Sequence, residues 1–371
     1  MGLIDEIPAA HAALANARSA EAGQIVSMLD STRVAGVLGE AEVGKTETVR
    51  QALALTGLTV IRLDLDAAAS DGHIGLLLVR EIAKATVPAV DLSLLSGGVL
   101  LPPTAEKARA ELAALLGMEG LEEALAPWPS GRLSSVHALQ IVETVARRKP
   151  VVLWIDHPES PSLTPRHPVD VDRLLWGVRE MVQRQRSLRV VVSSREGFSQ
   201  RLLGPKDAFH QQGSWISFDN PLADTWRRVA ERFEIPARLA DEIFEQVDGH
   251  PATMLNAILL ISSSPTLPHP YALLQELAAR DDGLVARAVQ HARTLHRLGG
   301  QVMTQIAFGE PPYGIAERGS SSPQEIRKVL ERLRLAGLLK RKHGWGIVNP
   351  LVAIRLRGSV RVLLPPLSFE R

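Results

Sequence analysis

The sequence predicts an α/β fold built on a parallel sheet, followed by helical segments and a mainly α C-terminal domain. Apolar, β-rich runs alternate with helical patterns through the first 220 residues. The runs are continuous, which is typical of parallel strands buried on both faces. After Asn220-Pro221 helix-period segments follow, up to a hairpin signal near residues 338–348. Because 371 residues exceed the size at which single cores stop growing, we expect two or three domains.

Five strands are expected in the first 220 residues. The runs that predict them are 33–39, 58–64, 151–156, 188–193 and 215–218. The helical patterns between them are centred on 47–55, 74–85, 136–147 and 171–185. The stretch 90–131 interrupts this alternation with Gly, Pro and short Ala/Leu-rich signals, and we interpret it as an insertion. Residues 1–220 are therefore predicted to form one α/β core.

The composition constrains the class of protein. The chain has no cysteine, which excludes disulfides, thiolate metal sites and cysteine nucleophiles and fits a reducing, cytoplasmic location. No apolar run approaches the roughly 18 residues that a membrane-spanning helix needs, and the N-terminus lacks the basic-then-apolar pattern of a secretion signal. We therefore expect no contact with a membrane.

Charge is distributed unevenly along the chain. The formal net charge is +1, but residues 281–371 carry 15 Lys and Arg against 7 Asp and Glu. The preceding residues are correspondingly acidic. A basic end on a near-neutral chain favours a module that faces a polyanion, and a solvated basic surface without a partner is the alternative.

A phosphate-binding motif follows the first predicted strand. Residues 39–46 match G-x-x-x-x-G-K-[ST] between a strand and a helix, the context that a phosphate-binding loop (P-loop) requires. The glycines let backbone N–H groups point at phosphate oxygens, and the helix N-terminus adds positive charge. Lys45 would reach the β- and γ-phosphates and Thr46 would bind Mg²⁺. The predicted nucleotide-binding residues are Gly39, Glu40, Ala41, Glu42, Val43, Gly44, Lys45, Thr46 and Glu47.

The strand at 151–156 ends in Asp156, which can hold the Mg²⁺ shell opposite Thr46. P-loop hydrolases commonly place a second acidic residue directly after this aspartate, as the base that orients the attacking water. His157 stands there instead, and Glu159 could substitute only if the loop bends back. The sequence therefore predicts ATP and Mg²⁺ as ligands and slow hydrolysis.

A third strand ends in two serines and Arg195. If this strand pairs beside the strand of Asp156, Arg195 could contact the γ-phosphate and report its presence. The alternative is an exposed arginine at a strand end. The predicted catalytic residues are Lys45, Asp156, His157, Glu159 and Arg195.

These residues resemble the AAA+ and STAND branch of P-loop ATPases, particularly archaeal-type ATPases and origin-recognition initiators. Arg18-x-x-Glu21 is similar to the opening region that flanks the adenine in that family, and residues 193–195 look like its sensor strand. For the family's arginine finger the candidate is Arg201. The resemblance implies a helical lid after the α/β core.

Residues 249–251 are similar to the Gly-x-Pro motif of that lid. The resemblance implies that His250 and Pro251 contact the nucleotide. A purely structural interpretation is also open, in which Gly249 ends one helix and Pro251 begins the next. The predicted domains are the P-loop ATPase core at 1–220, the lid at 221–280 and a C-terminal domain at 281–371.

The C-terminal domain resembles a winged helix-turn-helix. Ser322, Pro323 and Glu325 form a favourable helix start, and a hairpin with a basic tip follows at 336–350. Such a helix could enter the major groove of duplex DNA while the tip contacts phosphates. The alternative is a packing or oligomerisation domain. The predicted DNA-binding residues are Gln324, Arg327, Lys328, Lys340, Arg341 and Lys342.

Together these patterns predict an ATP-dependent switch that binds duplex DNA and forms a homo-oligomer on ATP or DNA, with a protein encoded nearby as a further possible partner. Two alternatives stay open. One is a STAND-type signalling or defence ATPase whose winged helix mediates protein contacts. The other is a degenerate adaptor that binds nucleotide without useful hydrolysis.

Overall fold

A computed structural model describes residues 12, 14–16, 18–67, 71–86, 135–160, 170–264, 269–280, 283–317, 321–341 and 344–363. The predicted insertion at 90–131 and Lys342 lie outside these residues. The chain divides into two compact units. We call Ala20–Leu38 with Lys45–Ser217 the sheet unit, and Met1–Ser19, Gly39–Gly44 and Phe218–Arg371 the helical unit.

The sheet has five strands in the order β2-β3-β4-β1-β5. They are β1 (Val34–Gly39), β2 (Thr59–Asp64), β3 (Val151–Asp156), β4 (Leu188–Ser194) and β5 (Ser214–Phe218). The pairs β2–β3, β3–β4 and β4–β1 are parallel. All six residues of β1 and of β3 are buried, as continuous apolar runs in a covered sheet require. The predicted α/β class with a parallel sheet is confirmed.

One helix precedes β1, and the others lie between the strands of this sheet in the chain. They are α1 (Ser19–Ser31), α2 (Lys45–Thr56), α3 (Asp71–Thr86), α4 (Ser135–Arg148), α5 (Val171–Arg184) and the short α6 (Ser199–Leu203). Asp170 caps α5 by accepting a hydrogen bond from the backbone of Arg173. The N-terminus of α2 follows the P-loop directly, so the helix dipole faces the loop.

The strand register brings polar residues together at the carboxyl edge of the sheet. Asp64 of β2 lies opposite Asp156 of β3, and Asp156 lies opposite Ser193 of β4. Ligand sites of open parallel sheets form at this edge. The strand register alone therefore brings the side chains of a candidate site together at this edge.

Gly36 provides a sharp test of the packing in the sheet unit. A Cβ at this position would lie 1.8 Å from the indole ring of Trp215. We expect Gly36→Ala to lower the free energy of unfolding by about 1–3 kcal/mol, because a packed core cannot absorb the extra atom. Gly23→Ala is the matched control: its Cβ meets open space on helix α1, so we expect a gain of about 0.5–1 kcal/mol. Chemical denaturation measures both, and equal stability of the two variants would contradict the packing.

From residue 223 onward the helical unit contains nine helices and one hairpin among its described residues. They are α7 (Ala223–Glu231), α8 (Ala237–Val247), α9 (Pro251–Ser262), α10 (Pro270–Arg280), α11 (Leu284–Leu295), α12 (Gly299–Ala307), α13 (Gly314–Glu317), α14 (Pro323–Leu335), β6 (Leu339–Arg341), β7 (Trp345–Ile347) and α15 (Pro350–Leu363). Helix α10 was not predicted. Its buried Leu273, Leu274 and Leu277 pack on the neighbouring helices.

Two hydrophobic clusters stabilise the helical unit. The first is built around Trp226 and draws mainly on α7 to α10. The second includes Val302, Ile326 and Leu330 and draws mainly on α11 to β7. Helix α15 belongs to both, because Leu351 lies in the first cluster and Val352 and Leu356 lie in the second.

Candidate functional site

The P-loop between β1 and α2 has the backbone conformation that its glycines permit. Gly44 has φ +91°, and Glu42 also adopts a left-handed conformation, with φ +64°. A Cβ at Gly39 would lie 2.6 Å from the carbonyl oxygen of Phe218. Only glycine fits these two glycine positions without strain or displacement of the backbone. Lys45 follows directly as the first residue of α2 and is buried.

The two predicted metal ligands lie close together in the sheet unit. Thr46 Oγ1 is 3.4 Å from Asp156 Oδ2. Asp156 is fully buried, and its Oδ1 accepts a hydrogen bond of 2.5 Å from the Ser193 hydroxyl, which itself accepts from Trp154 Nε1 at 2.7 Å. One carboxylate oxygen is thus fixed by the sheet, and the other faces Thr46.

Arg62 and Asp64 of β2 are parts of this site that the sequence analysis missed. Arg62 Nη2 lies 2.6 Å from Asp156 Oδ2 and 3.0 Å from Asp64 Oδ2. The guanidinium stacks 4.6 Å above the ring of Trp154. A buried carboxylate such as Asp156 needs a cation nearby, and Arg62 supplies it. The only sequence signal was the acidic end of a predicted strand.

His157 occupies the position of the expected acidic base and has an unusual backbone, with φ +55°. Its Nδ1 lies 3.2 Å from Asp64 Oδ1. Burial opposes the charged imidazolium, but the hydrogen bond to Asp64 and the neighbouring carboxylates outweigh it, so the pKa of His157 is raised. The same contact and the charges of His157 and Arg62 outweigh the burial of Asp64, and its pKa is lowered.

The side chains of Asp64, Asp156 and His157 offer ligand atoms that lie within 4.8 Å of one another. Two carboxylates and an imidazole suit a divalent cation by the chemistry of their donors. Thr46 and Asp156 supply the oxygen ligands that Mg²⁺ prefers. Thr46 and Asp156 thus offer oxygen atoms of the kind that Mg²⁺ takes, beside the guanidinium of Arg62, which lies 2.6 Å from the same Asp156 Oδ2.

Glu159 and Arg195 form a pair at the ends of β3 and β4. Glu159 is fully buried, accepts a hydrogen bond of 2.9 Å from the Ser194 hydroxyl and lies 3.3 Å from Arg195 Nε. The loop after Asp156 makes a turn, in which Ser160 N donates to His157 O, and Glu159 within it reaches Ser194 at the end of β4. The predicted substitute base thus anchors the predicted sensor arginine.

Arg201, the candidate for an arginine finger, makes two contacts with the carboxylate of Asp172, at 2.9 and 2.8 Å. Both side chains are exposed. Both contacts come from the single nitrogen Nη2, which lies between the two carboxylate oxygens. In this chain Arg201 is part of a surface ion pair.

In the helical unit, the lid motif contacts the P-loop. His250 caps α9 by accepting a hydrogen bond at Nδ1 from Thr253 N, and Asp248 and Gly249 end α8 in left-handed conformations. His250 Nε2 also lies 3.0 Å from Glu42 Oε2. The capping geometry expected from the structural interpretation is therefore present, together with a contact to the loop.

Arg18 joins the same loop from the opening segment. Its guanidinium donates to the carbonyl oxygens of Val43, at 2.9 Å, and Asp219, at 2.7 Å. It also stacks on the ring of Phe218 at 5.1 Å. Arg18 is nearly fully buried. The segment therefore stabilises the conformation of the P-loop.

The predicted DNA-binding residues divide into two groups. Gln324, Arg327 and Lys328 are exposed on α14, and Arg341 is exposed at the hairpin, where it stacks on Trp345 at 5.6 Å. Lys340 instead donates to Asp248 Oδ2 at 3.0 Å. Lys342 lies outside the described residues.

No helix in the described part of the chain is both long enough and apolar enough to span a membrane.

The parallel sheet, the glycine loop that enters a helix and the aspartate at the end of β3 together define the fold of a P-loop ATPase. The Walker-type ATPase paby2304 of Pyrococcus abyssi has a similar structure, with a TM-score of 0.66 at 16% identity over 92% of this chain and 95% of that chain. The resemblance to archaeal P-loop ATPases is therefore confirmed at the level of the fold.

Two further structures show weaker similarity. They are the ORC2 protein of Aeropyrum pernix, solved as ADPNP-ADP complexes, and Cdc6p of Pyrobaculum aerophilum, each with a TM-score of 0.43. Identity is 15% over 93% of this chain and 92% of ORC2, and 13% over 92% of this chain and 94% of Cdc6p. No protein-family model and no curated protein matches the sequence.

Proposed function

We propose that the protein binds ATP with Mg²⁺ and uses nucleotide occupancy to control a DNA-binding module at its C-terminal end. The observation that carries the nucleotide site is the 3.4 Å approach of Thr46 to Asp156, in a chain whose residues 39–46 match the P-loop sequence. In this proposal the backbone of residues 39–46 binds the phosphates, Lys45 binds the β- and γ-phosphates, and Thr46 and Asp156 hold the cation. Calorimetric titration with ATP, with and without Mg²⁺, tests it.

Hydrolysis is proposed to be slow. Bound Mg²⁺ would neutralise charge that develops on the phosphates. The group that orients the attacking water would be His157, whose Nδ1 is already occupied by Asp64, so that Nε2 is the nitrogen left for water. Glu159 is a weaker candidate for this role because its carboxylate is buried against Ser194 and Arg195. Arg195 would contact the γ-phosphate.

Replacing His157 by glutamate should raise the rate of phosphate release about ten- to hundredfold. A carboxylate adds negative charge and a stronger hydrogen-bond acceptor at the position of the base. His157→Gln is the matched control, since it removes the imidazole without adding charge and should not accelerate turnover. Steady-state phosphate release measures both. A wild-type rate of about 10 s⁻¹ would contradict slow hydrolysis.

DNA is the proposed partner of the C-terminal residues. Arg327 and Lys328 project from the exposed side of α14, and the helices and hairpin of residues 284–347 follow the order of a winged helix-turn-helix. The basic balance after residue 280 supplies attraction to phosphates. We further propose that the protein self-assembles on ATP or DNA.

A signalling ATPase is the second candidate function. It is favoured by the hydrogen bond between Lys340 and Asp248, because a basic residue used within the protein is less available to DNA. In that case the hairpin would pack on the lid, and nucleotide state would control a protein partner. DNA binding that depends on salt separates the two functions.

A further inference from the structure

The two acidic residues of the P-loop both contact residues from distant parts of the sequence, within the helical unit. Glu42 Oε2 lies 3.0 Å from His250 Nε2 and 3.4 Å from Asn349 Nδ2. Glu40 Oε1 lies 4.0 Å from Nε of Arg334, which belongs to α14. The loop that would receive the phosphates is thus connected to the lid and to the helix proposed to contact DNA.

The hydrogen bond at one ring nitrogen of His250 shows which nitrogen faces Glu42. Nδ1 of His250 accepts a hydrogen bond from Thr253 N at 3.3 Å, and therefore carries no proton. The ring proton is then on Nε2, the nitrogen that faces Glu42. His250 is buried. With Nδ1 engaged by Thr253, the imidazole turns its Nε2 edge toward the carboxylate of Glu42, 3.0 Å away.

Glu40 and Arg334 form an ion pair between partly buried side chains. Their side chains are 19% and 20% exposed. Screening by water is weaker at such positions than at the surface. A further charge bound to the loop should therefore interact electrostatically with Glu40 and Arg334.

We propose that Glu40 and Glu42 make nucleotide binding and the docking of Arg334 and His250 on the P-loop mutually reinforcing. This inference rests on the proposed ATP site and adds its regulation. Carboxylates on the loop repel phosphates, and the guanidinium of Arg334 and the imidazole of His250, which lie beside them, offset this charge. Docked partners therefore raise the affinity for nucleotide, and by thermodynamic reciprocity bound nucleotide stabilises the docked arrangement by the same free energy.

Helix α14 connects this coupling to DNA. Arg327 lies seven residues before Arg334, two helical turns away on nearly the same side of the helix. One end of α14 thus contacts the loop while the other end exposes Arg327 and Lys328. Fixing Arg334 at Glu40 fixes the direction in which the basic residues are presented, so nucleotide should strengthen DNA binding.

An open pocket lies beside the contact of Glu42 with Asn349. A cavity of about 200 Å³ borders Glu42 and Asn349, and residues of α11 such as Arg287 and His291 line it. Close packing would resist movement of side chains, whereas a cavity of this size leaves side chains room to change partners.

A double-mutant cycle at Glu40 and Arg334 tests the proposal. The affinity for MgATP is measured by calorimetry for wild type, Arg334→Gln, Glu40→Gln and the double variant. We expect Arg334→Gln to weaken binding about fivefold, because Glu40 then repels the phosphates. Glu40→Gln should tighten binding about fivefold, and Arg334→Gln should have no further effect in that background.

Arg332→Gln is the matched control. Arg332 also belongs to α14, but its guanidinium donates to the carbonyl oxygen of Leu295. The substitution therefore removes the same charge from the helix and should leave the affinity for MgATP unchanged. A gain of affinity in Glu40→Gln cannot come from misfolding. If wild type binds MgATP and both single variants bind it with the same affinity, the coupling is overturned and the proposed function is not. Wild-type protein that binds no MgATP would overturn the proposed function and this inference together.

Discussion

Replacing Lys45 by alanine should weaken the binding of MgATP about a hundredfold or more while leaving the fold intact. The ammonium of Lys45 is proposed to form charge-assisted hydrogen bonds with two phosphates, each contributing about 1.5–3 kcal/mol. Losing both removes at least about 3 kcal/mol, and each 1.4 kcal/mol is a factor of ten in affinity. Calorimetric titration of both proteins with MgATP measures the difference.

Lys84→Ala is the matched control for this experiment. Lys84 belongs to the same sheet unit and pairs with Glu81 on the surface of α3, so its loss should not change the affinity for MgATP. Circular dichroism checks that the fold of Lys45→Ala is intact. Equal affinity of wild type and Lys45→Ala would refute the proposed nucleotide site.

Removing the exposed basic residues Arg327, Lys328 and Arg341 together should weaken duplex binding on the order of a hundredfold at 0.1 M salt. If each neutralises one phosphate, the slope of log affinity against log salt should flatten by about three units, equally for all DNA sequences. Lys340 is left in place because it is paired with Asp248. Fluorescence anisotropy with labelled duplexes at several salt concentrations, with and without ATP, measures the slope.

A triple variant of the sheet unit is the control for net charge. Arg148, Arg173 and Arg186 are exposed, and replacing them removes the same number of charges away from α14. If both triple variants lower the affinity equally, the attraction is a property of the whole protein and not of α14. If wild type binds no duplex at low salt, the signalling function is favoured.

The sheet was predictable because its signals are local. Buried parallel strands are continuous apolar runs, and the run at 151–156 coincides with β3. The start of α14 was also readable, since a serine cap, a proline and an acidic first turn act on the backbone within a few residues. The P-loop sequence carries its own chemistry and needs no tertiary context to be recognised.

The surroundings of Asp156 could not be predicted in the same way. Asp64 comes close to Asp156 only because β2 pairs with β3 in one register, and the sequence does not reveal the order of strands. The ion pair of Arg62 with Asp156 depends on that order as well. Whether Lys340 faces solvent or Asp248 depends on packing between segments 92 residues apart.

Helix α15 determines how the helical unit can be divided. Because it supplies Leu351 to one hydrophobic cluster and Val352 and Leu356 to the other, a chain that ends before residue 350 would leave both clusters open to water. We therefore expect that a chain divided at the predicted boundary near residue 280 would not give two independently folding parts. Unfolding of either cluster removes support from the other, which favours a single cooperative transition for the whole helical unit.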